Sequence, residues 1–336
     1  MKRLNLVFII FLFASMVNGE EIIPLPDLMR PGQIYVHDNR VYIVDGIEIL
    51  MYSAKDYHFQ KKFGREGEGP KEFKDEVSKL FFTDKYFIVN SAGRVSYFTP
   101  AGEYIKEKNS KHPRAGNYLP VADSYVGLQV VGENNRLFKV VSIFDSEFNR
   151  VKELCRIEDD FRPGKEYRTF IEPQLYEVYD DKIYVTFSKE FLVTVYNSAG
   201  ERLFTVTRDC ERVKVTDGHK KAVNFFFRTD EYYKKYYNRI KPLLTFPAYL
   251  PAIRYIFCSP GKLYVQTYGT VDGKAELFIY DLSGKFLKKT FISFIEEEFN
   301  YNDMLLPPLH TIHRDKLYQL VENEDEEWEL HVTPVK

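Results

Sequence analysis

The sequence predicts an all-β protein: a six-bladed β-propeller with a short helical insertion between blades 4 and 5. Three observations predict it: a strand motif that recurs, the spacing of its copies, and a last copy that is one strand short. The motif is a turn pair, a basic or polar residue and an apolar-aromatic run, and it occurs at residues 39–44, 84–89, 123–128, 181–186, 261–266 and 315–320. Its anchors Tyr42, Phe87, Val126, Tyr184, Tyr264 and Tyr318 lie 45, 39, 58, 80 and 54 residues apart. Repetition at roughly 40–50 residues with four short strands per unit marks propeller blades, because one such sheet cannot bury both faces alone.

The elements follow in chain order. Lys2 and Arg3, then the apolar run at residues 4–13 and the small-residue exit Val17-Asn18-Gly19, read as a secretory signal over residues 1–19. That run is shorter than the about 18–20 residues a membrane span needs, so cleavage before Glu20 is expected, with no span in the mature chain. The propeller then covers residues 20–336, as a protein exported to a periplasm or beyond.

Residues 21–25 are strand-like, with Pro24 and Pro26 placing them at a sheet edge. The last unit holds three strands, at residues 310–313, 316–322 and 327–332, so the N-terminal strand is expected to supply the fourth and close the ring. Within the blades, second hairpins are marked by Gly102, Gly200 and Gly284, each flanked by an aromatic residue and an aromatic or apolar one.

The first inter-blade connector, Phe63-Gly64-Arg65-Glu66-Gly67-Glu68-Gly69-Pro70-Lys71-Glu72-Phe73, resembles the inter-blade signature of exported NHL-like six-bladed β-propellers, approximately F-G-x-x-G-x-G-P-G-E-F. The resemblance implies a fold and a binding scaffold, with Gly64, Gly67, Gly69, Pro70 and Phe73 as structural connector residues. Lys71 stands where that pattern has glycine, so the backbone there is expected to avoid a conformation open only to glycine. A phosphate loop is excluded: Pro70 occupies the lysine position of the nucleotide motif, and Glu66 and Glu68 would repel phosphate.

The 80-residue interval between anchors four and five contains an insertion at about residues 222–252. Its centre, residues 229–240, reads as a short helix with Thr229 as N-cap, Asp230 and Glu231 at the positive end, Lys235 and Arg239 later, and Pro242 as the stop. Tyr232, Tyr236 and Ile240 then share a face, with Tyr233 and Tyr237 beside it. Two readings compete, a helix whose aromatics pack on the propeller rim and a lid over the central opening. Tyr232, Tyr233, Tyr236, Tyr237 and Arg239 are the ligand-contact candidates, for a protein, peptide or glycan.

The remaining constellations carry less. Net charge is −2, from 47 Lys and Arg against 49 Asp and Glu, with no basic stripe, so nucleic acid is not an expected partner. Cys155, Cys210 and Cys258 allow one disulfide plus a free thiol, or three buried thiols. His310 and His313, three apart in a strand, point to opposite faces and cannot share an ion without a bend. No G-x-S-x-G elbow occurs, so no catalytic residue is assigned and no cofactor is expected. The alternative is a calcium-dependent propeller hydrolase, lactonase or lyase. It would hold calcium on oxygen ligands scattered singly along the inner strands; of the carboxylate runs Asp159-Asp160, Glu296-Glu297-Glu298 and residues 324–327, the last, on a hairpin turn, reads as a solvated loop.

Overall fold

The computed structural model describes residues 15–17, 19–74, 77–110, 117–134, 136–159, 166–170, 175–186, 190–295, 301 and 307–336. The signal reading falls largely on residues 1–14 and 18, and the acidic runs partly on Asp160 and Glu296-Glu297-Glu298; these lie outside the described residues. Ser15–Val17 is a strand paired antiparallel with Glu20–Pro24.

Six antiparallel sheets are arranged as six blades. Blade 1 runs outward through Pro31–His37, Arg40–Asp45, Glu48–Ser53 and Phe59–Phe63. Blade 2 follows with Lys79–Phe82, Phe87–Ser91, Arg94–Phe98 and Tyr104–Asn109. Blade 3 holds Leu119–Val121, Ser124–Glu133, Arg136–Phe144 and Arg150–Asp159. Blade 4 holds Leu175–Tyr179, Lys182–Thr186, Leu192–Asn197 and Arg202–Thr207. Blade 5 holds Tyr255–Ser259, Lys262–Val271, Lys274–Asp281 and Phe286–Ser293. Blade 6 takes His310–His313, Lys316–Glu322 and Trp328–Pro334 from the C-terminal end, and Glu20–Pro24 as its fourth strand. The N-terminal strand thus closes the ring as the incomplete last unit predicts, in the register Ile22 to His331 and Ile23 to Leu330.

The second strand of each blade is apolar on both sides because both sides are covered. Val41 and Ile43 pack toward blade 6, whereas Tyr42 and Val44 pack toward blade 2. Leu263 and Val265 face blade 4 while Tyr264 faces blade 6. Alternation along a strand therefore feeds two interfaces instead of one core and one solvent face. The outermost strands are wet, as the mostly exposed Phe59–Phe63 and Arg202–Thr207 show.

One turn recurs between the third and fourth strands. In blades 2 to 5 its opening residue, Thr99, Asp145, Asn197 or Asp281, accepts a backbone bond from the residue three later at 2.8–3.0 Å. That later residue has positive φ: Gly102 at +74°, Phe148 at +60°, Gly200 at +71° and Gly284 at +86°; in blade 6 a turn of the same form, from Asn323 to Glu326 at +62°, joins the second and third strands instead. Blade 1 has a turn one residue longer, closed by Tyr57 at +55°. The glycines are there because the preceding blade presses on them. A Cβ on Gly284 would stand 2.7 Å from the Phe204 ring, and one on Gly200 2.7 Å from Leu154 Cδ2. Tyr57 and Phe148 meet the same demand oppositely, accepting the left-handed backbone and burying their rings between blades.

The first connector leads from the outer strand of blade 1 to the inner strand of blade 2. Phe63 and Phe73 both enter the interface of blades 1 and 2, and between them Arg65–Glu66 and Glu72–Phe73 pair in parallel. Gly64 has φ +106°, and a Cβ there would lie 2.3 Å from the Ile47 carbonyl oxygen. Gly69 N–H donates to Glu72 Oε2 at 2.7 Å, and Arg65 reaches Glu72 Oε1 at 2.6 Å. The expectation for Lys71 needs correction: it sits at φ +64°, in the left-handed region that favours glycine. The turn keeps its geometry, and the side chain bears it with its ammonium 3.0 Å from Glu103.

Candidate functional site

Antiparallel blades place two kinds of link at opposite ends of the ring. The first-to-second and third-to-fourth turns lie at one end; the second-to-third loops and the inter-blade connectors lie at the other. The insertion belongs to the connector end. It occupies the stretch between Thr207 and Tyr255, wider than residues 222–252.

Its helix also starts earlier than the sequence suggests. Helix α1 is Asp217–Thr229, opened by Thr216, whose hydroxyl accepts from His219 N–H at 3.3 Å while His219 Nδ1 accepts from Thr216 N–H at 3.0 Å. Thr229 ends this helix instead of capping the next, and donates its hydroxyl to the Phe225 carbonyl at 2.9 Å. Asp230 turns the chain by accepting from the Tyr232 and Tyr233 amides at 2.9 and 3.0 Å. Two 3-10 turns, Lys234–Tyr236 and Lys241–Leu243, then flank the short helix α2, Tyr237–Ile240. The reason is local: Asp230 outcompetes Thr229 as a cap, and Pro242 falls within the second 3-10 turn, which it does not stop.

The insertion has an aromatic core of its own. Phe227 and Val223 from α1, Ile240 from α2 and Leu250 are buried with Phe170 and Tyr301. Phe170 comes from the link between blades 3 and 4, and Tyr301 from the link between blades 5 and 6. Tyr301 sits 5.5 Å from both Phe170 and Phe226, and burial pushes its hydroxyl up to about 12. Backbone pairing adds to this: Tyr167–Arg168 runs parallel to Leu244–Thr245, and Thr169 N–H donates to the Thr245 carbonyl at 3.1 Å. Packing on the propeller is therefore what part of the aromatic stripe does.

The five candidate residues divide. Tyr233 and Tyr237 face inward: the Tyr233 ring lies 5.1 Å from Phe227, and Tyr237 donates to Asn224 Oδ1 at 3.1 Å. Tyr232 and Tyr236 face outward at 63% and 40% exposure, their ring centroids 6.0 Å apart. Lys235 Nζ stands 5.2 Å from one ring and 5.1 Å from the other. Arg239 is exposed on α2. Sequence reasoning missed Phe225, 59% exposed on α1 with Arg228 5.7 Å from its ring. Its signal is the run Phe225-Phe226-Phe227, of which a helix can bury only part.

Charge follows the same division. Residues 212–252 carry nine Lys and Arg against three Asp and Glu, a local +6 in a chain of net −2. The near-neutral total conceals this basic segment. Lys234 pairs with Glu231 at 2.6 Å and Lys220 with Asp217 at 3.1 Å, but Arg228, Lys235 and Arg239 have no carboxylate partner among the described residues.

The axial channel and the opposite end differ in character. Lys79 of blade 2 meets Glu177 of blade 4 at 2.5 Å across the inner strands. Cys258 of blade 5 lies near them, its thiol raised by burial first and by Glu177 second. All three cysteines are free, and burial also pushes Cys155 up to about 12. His310 is buried against Tyr255, Phe257 and Phe294 and contacts Gln266 Oε1 at 2.9 Å, whereas His313 lies beside Arg314, so the two do not converge. Among the described residues no group of three or more His, Cys, Asp and Glu is placed to hold a metal ion. A cleft of about 270 Å³ lies at the turn end between blades 2 and 3, lined by Tyr86, Tyr97, Tyr125, Lys106 and Lys108.

No protein-family model and no curated protein matches the chain. Among solved structures, a protein from Bacteroides fragilis provisionally described as exported aligns over 96% of this chain and 98% of its own, at 14% identity and a TM-score of 0.54. The shared property is the propeller fold. A member of the DUF4221 family from Bacteroides vulgatus covers 96% of this chain and 97% of its own at 10% identity, with a TM-score of 0.47. Among the described residues no helix is long and apolar enough to cross a membrane.

Proposed function

We propose that the chain is an exported, non-enzymatic β-propeller scaffold that binds a protein, peptide or carbohydrate ligand through its insertion. The observation that carries this reading is the division of the insertion's aromatics. One set, with Phe227, Tyr233 and Tyr301, fastens the segment to the ring; of the others, Tyr232 and Tyr236 are left in solvent together beside the unpaired Lys235, and Phe225 is left in solvent on α1 beside the unpaired Arg228. Large apolar rings exposed together and rimmed by charge mark interaction sites. Tyr and Arg are the residue types that dominate binding energy at such sites. Export draws on the N-terminal signal pattern, on the connector's resemblance to exported NHL-like propellers and on the neighbour described as exported.

The test is a screen of the mature chain, residues 20–336, against immobilised peptide and glycan arrays, repeated with the Tyr232→Ala/Tyr236→Ala variant. A ligand held through this face loses about 30-fold or more in affinity, the effect of one hot spot of about 2 kcal/mol. Unchanged binding of every ligand found would refute the role given to the insertion.

A further inference from the structure

Resting on the scaffold reading, we infer that the ligand of this face is an acidic protein segment whose aromatic or aliphatic side chains seat between Tyr232 and Tyr236. Charge complementarity sets the sign. The insertion holds +6 within a chain of net −2, so the rest of the chain is at −8 and the basic charge is concentrated here. Arg228, Lys235 and Arg239 are exposed and free of carboxylates among the described residues, so an incoming carboxylate displaces no existing pair. Lys235 already lies over two ring faces, so an acidic side chain drawn to its ammonium arrives beside Tyr232 and Tyr236.

Ring geometry separates a protein from a polysaccharide. The Tyr232 and Tyr236 planes are inclined at 62°, and the Tyr232 and Tyr233 planes at 89°. Rings so inclined form a notch for a side chain, not a flat track for successive sugar rings, and the Lys235 ammonium stands close to both exposed faces. A bilayer fits less well, because an interfacial helix needs a continuous apolar face, and α1 spends Val223 and Phe227 on its own core. Single-stranded nucleic acid shares the preference for cations and rings, but it uses rings laid out as a stacking platform.

The experiment measures binding of the mature chain to a random copolymer of glutamate and tyrosine, to polyglutamate, to polygalacturonate, to a single-stranded oligonucleotide and to phosphatidylglycerol vesicles. Expected is preference for the copolymer, about tenfold over polyglutamate, with affinity falling as salt rises. Lys235→Glu/Arg239→Glu and Tyr232→Ala/Tyr236→Ala should each cost about tenfold or more, with the melting temperature unchanged because all four side chains are exposed. Preference for polygalacturonate, lost in the tyrosine variant, overturns the acidic-protein inference and leaves the scaffold reading standing. Preference for the oligonucleotide or the vesicles overturns both; the absence of any probe binding that depends on these four residues overturns the acidic-protein inference alone, since the array screen tests the scaffold reading separately.

Discussion

The recurring turn between third and fourth strands can be tested by exchanging its two solutions. Phe148 combines a buried ring with φ +60°, so Phe148→Ala and Phe148→Gly remove the same packing and differ only in backbone. Losing the ring costs about 3–5 kcal/mol in either variant. Alanine keeps a left-handed strain of about 1–2 kcal/mol that glycine lacks, and glycine pays about 0.4–1 kcal/mol in unfolded-state entropy. The glycine variant should therefore be the more stable by roughly 0.5–1 kcal/mol, opposite to the usual order in strands and helices. At the glycine turns, Gly284→Ala meets both the +86° backbone and the Phe204 ring, whereas Gly93→Ala, at +76° with nothing within 4 Å of its Cβ, meets the backbone alone. Their difference isolates the contact between blades, expected at about 1–3 kcal/mol for an overpacked site. Urea denaturation of the mature chain measures all four variants. Equal stability of Gly284→Ala and Gly93→Ala, or Phe148→Ala more stable than Phe148→Gly, would refute the account.

Three further outcomes follow from the same packing. Deleting residues 20–25 removes the closing strand with the buried Ile23 and Leu25, at about 2–5 kcal/mol for each side chain, and should abolish the cooperative transition in calorimetry. Lys79→Met leaves Glu177 half-buried and unpaired, expected to cost about 1–3 kcal/mol, and the double variant with Glu177→Leu should recover part of that loss in a denaturation cycle. His313 is pushed down to about 4 by burial first and Arg314 second, from an ordinary 6.5, so below pH 6.5 the unfolded chain binds the extra proton. Stability is thus whole above that pH and falls toward pH 4, by up to roughly 3 kcal/mol from this group; His37 and His310 are lowered in the same direction, and a melting temperature that rises on acidification through this window would contradict the sign.

The blades were legible because their second strands are buried on both faces. A run such as Val41-Tyr42-Ile43-Val44 must be apolar at every position, and it stands out without any alignment. Closure was legible by subtraction, from a last unit with three strands. The turns were legible only where glycine fills the left-handed position: Gly102, Gly200 and Gly284 declare it, while Tyr57 and Phe148 adopt a left-handed φ without a signal. The insertion was located, but its helix was set too late, because Thr229-Asp230-Glu231 resembles a helix start and Thr216-Asp217 is the one used. What no periodicity could show is which tyrosines face out. Tyr232 and Tyr233 are adjacent, and their separation into surface and core depends on Phe227, Phe226 and Tyr167 meeting in space.

That separation bears on how the protein can change its ligand without losing its fold. The six inter-blade clusters draw on residues from neighbouring blades, so each buried position is tied to two sheets. The insertion is tied down by a seventh cluster that includes Phe170 and Tyr301 but not Phe225, Tyr232 or Tyr236. Substitutions at the exposed rings and at Arg228, Lys235 and Arg239 therefore remove no buried contact, and surface changes of this kind fall within about 0.5 kcal/mol. Phe227→Ala differs, since it opens a cavity of about 3–5 kcal/mol in the insertion's own core. Limited proteolysis should then cut the insertion while the blades resist, and a ligand bound through Tyr232 should be released by the cut. If the ligand stays bound to the nicked protein, its site lies on the ring and not on the insertion.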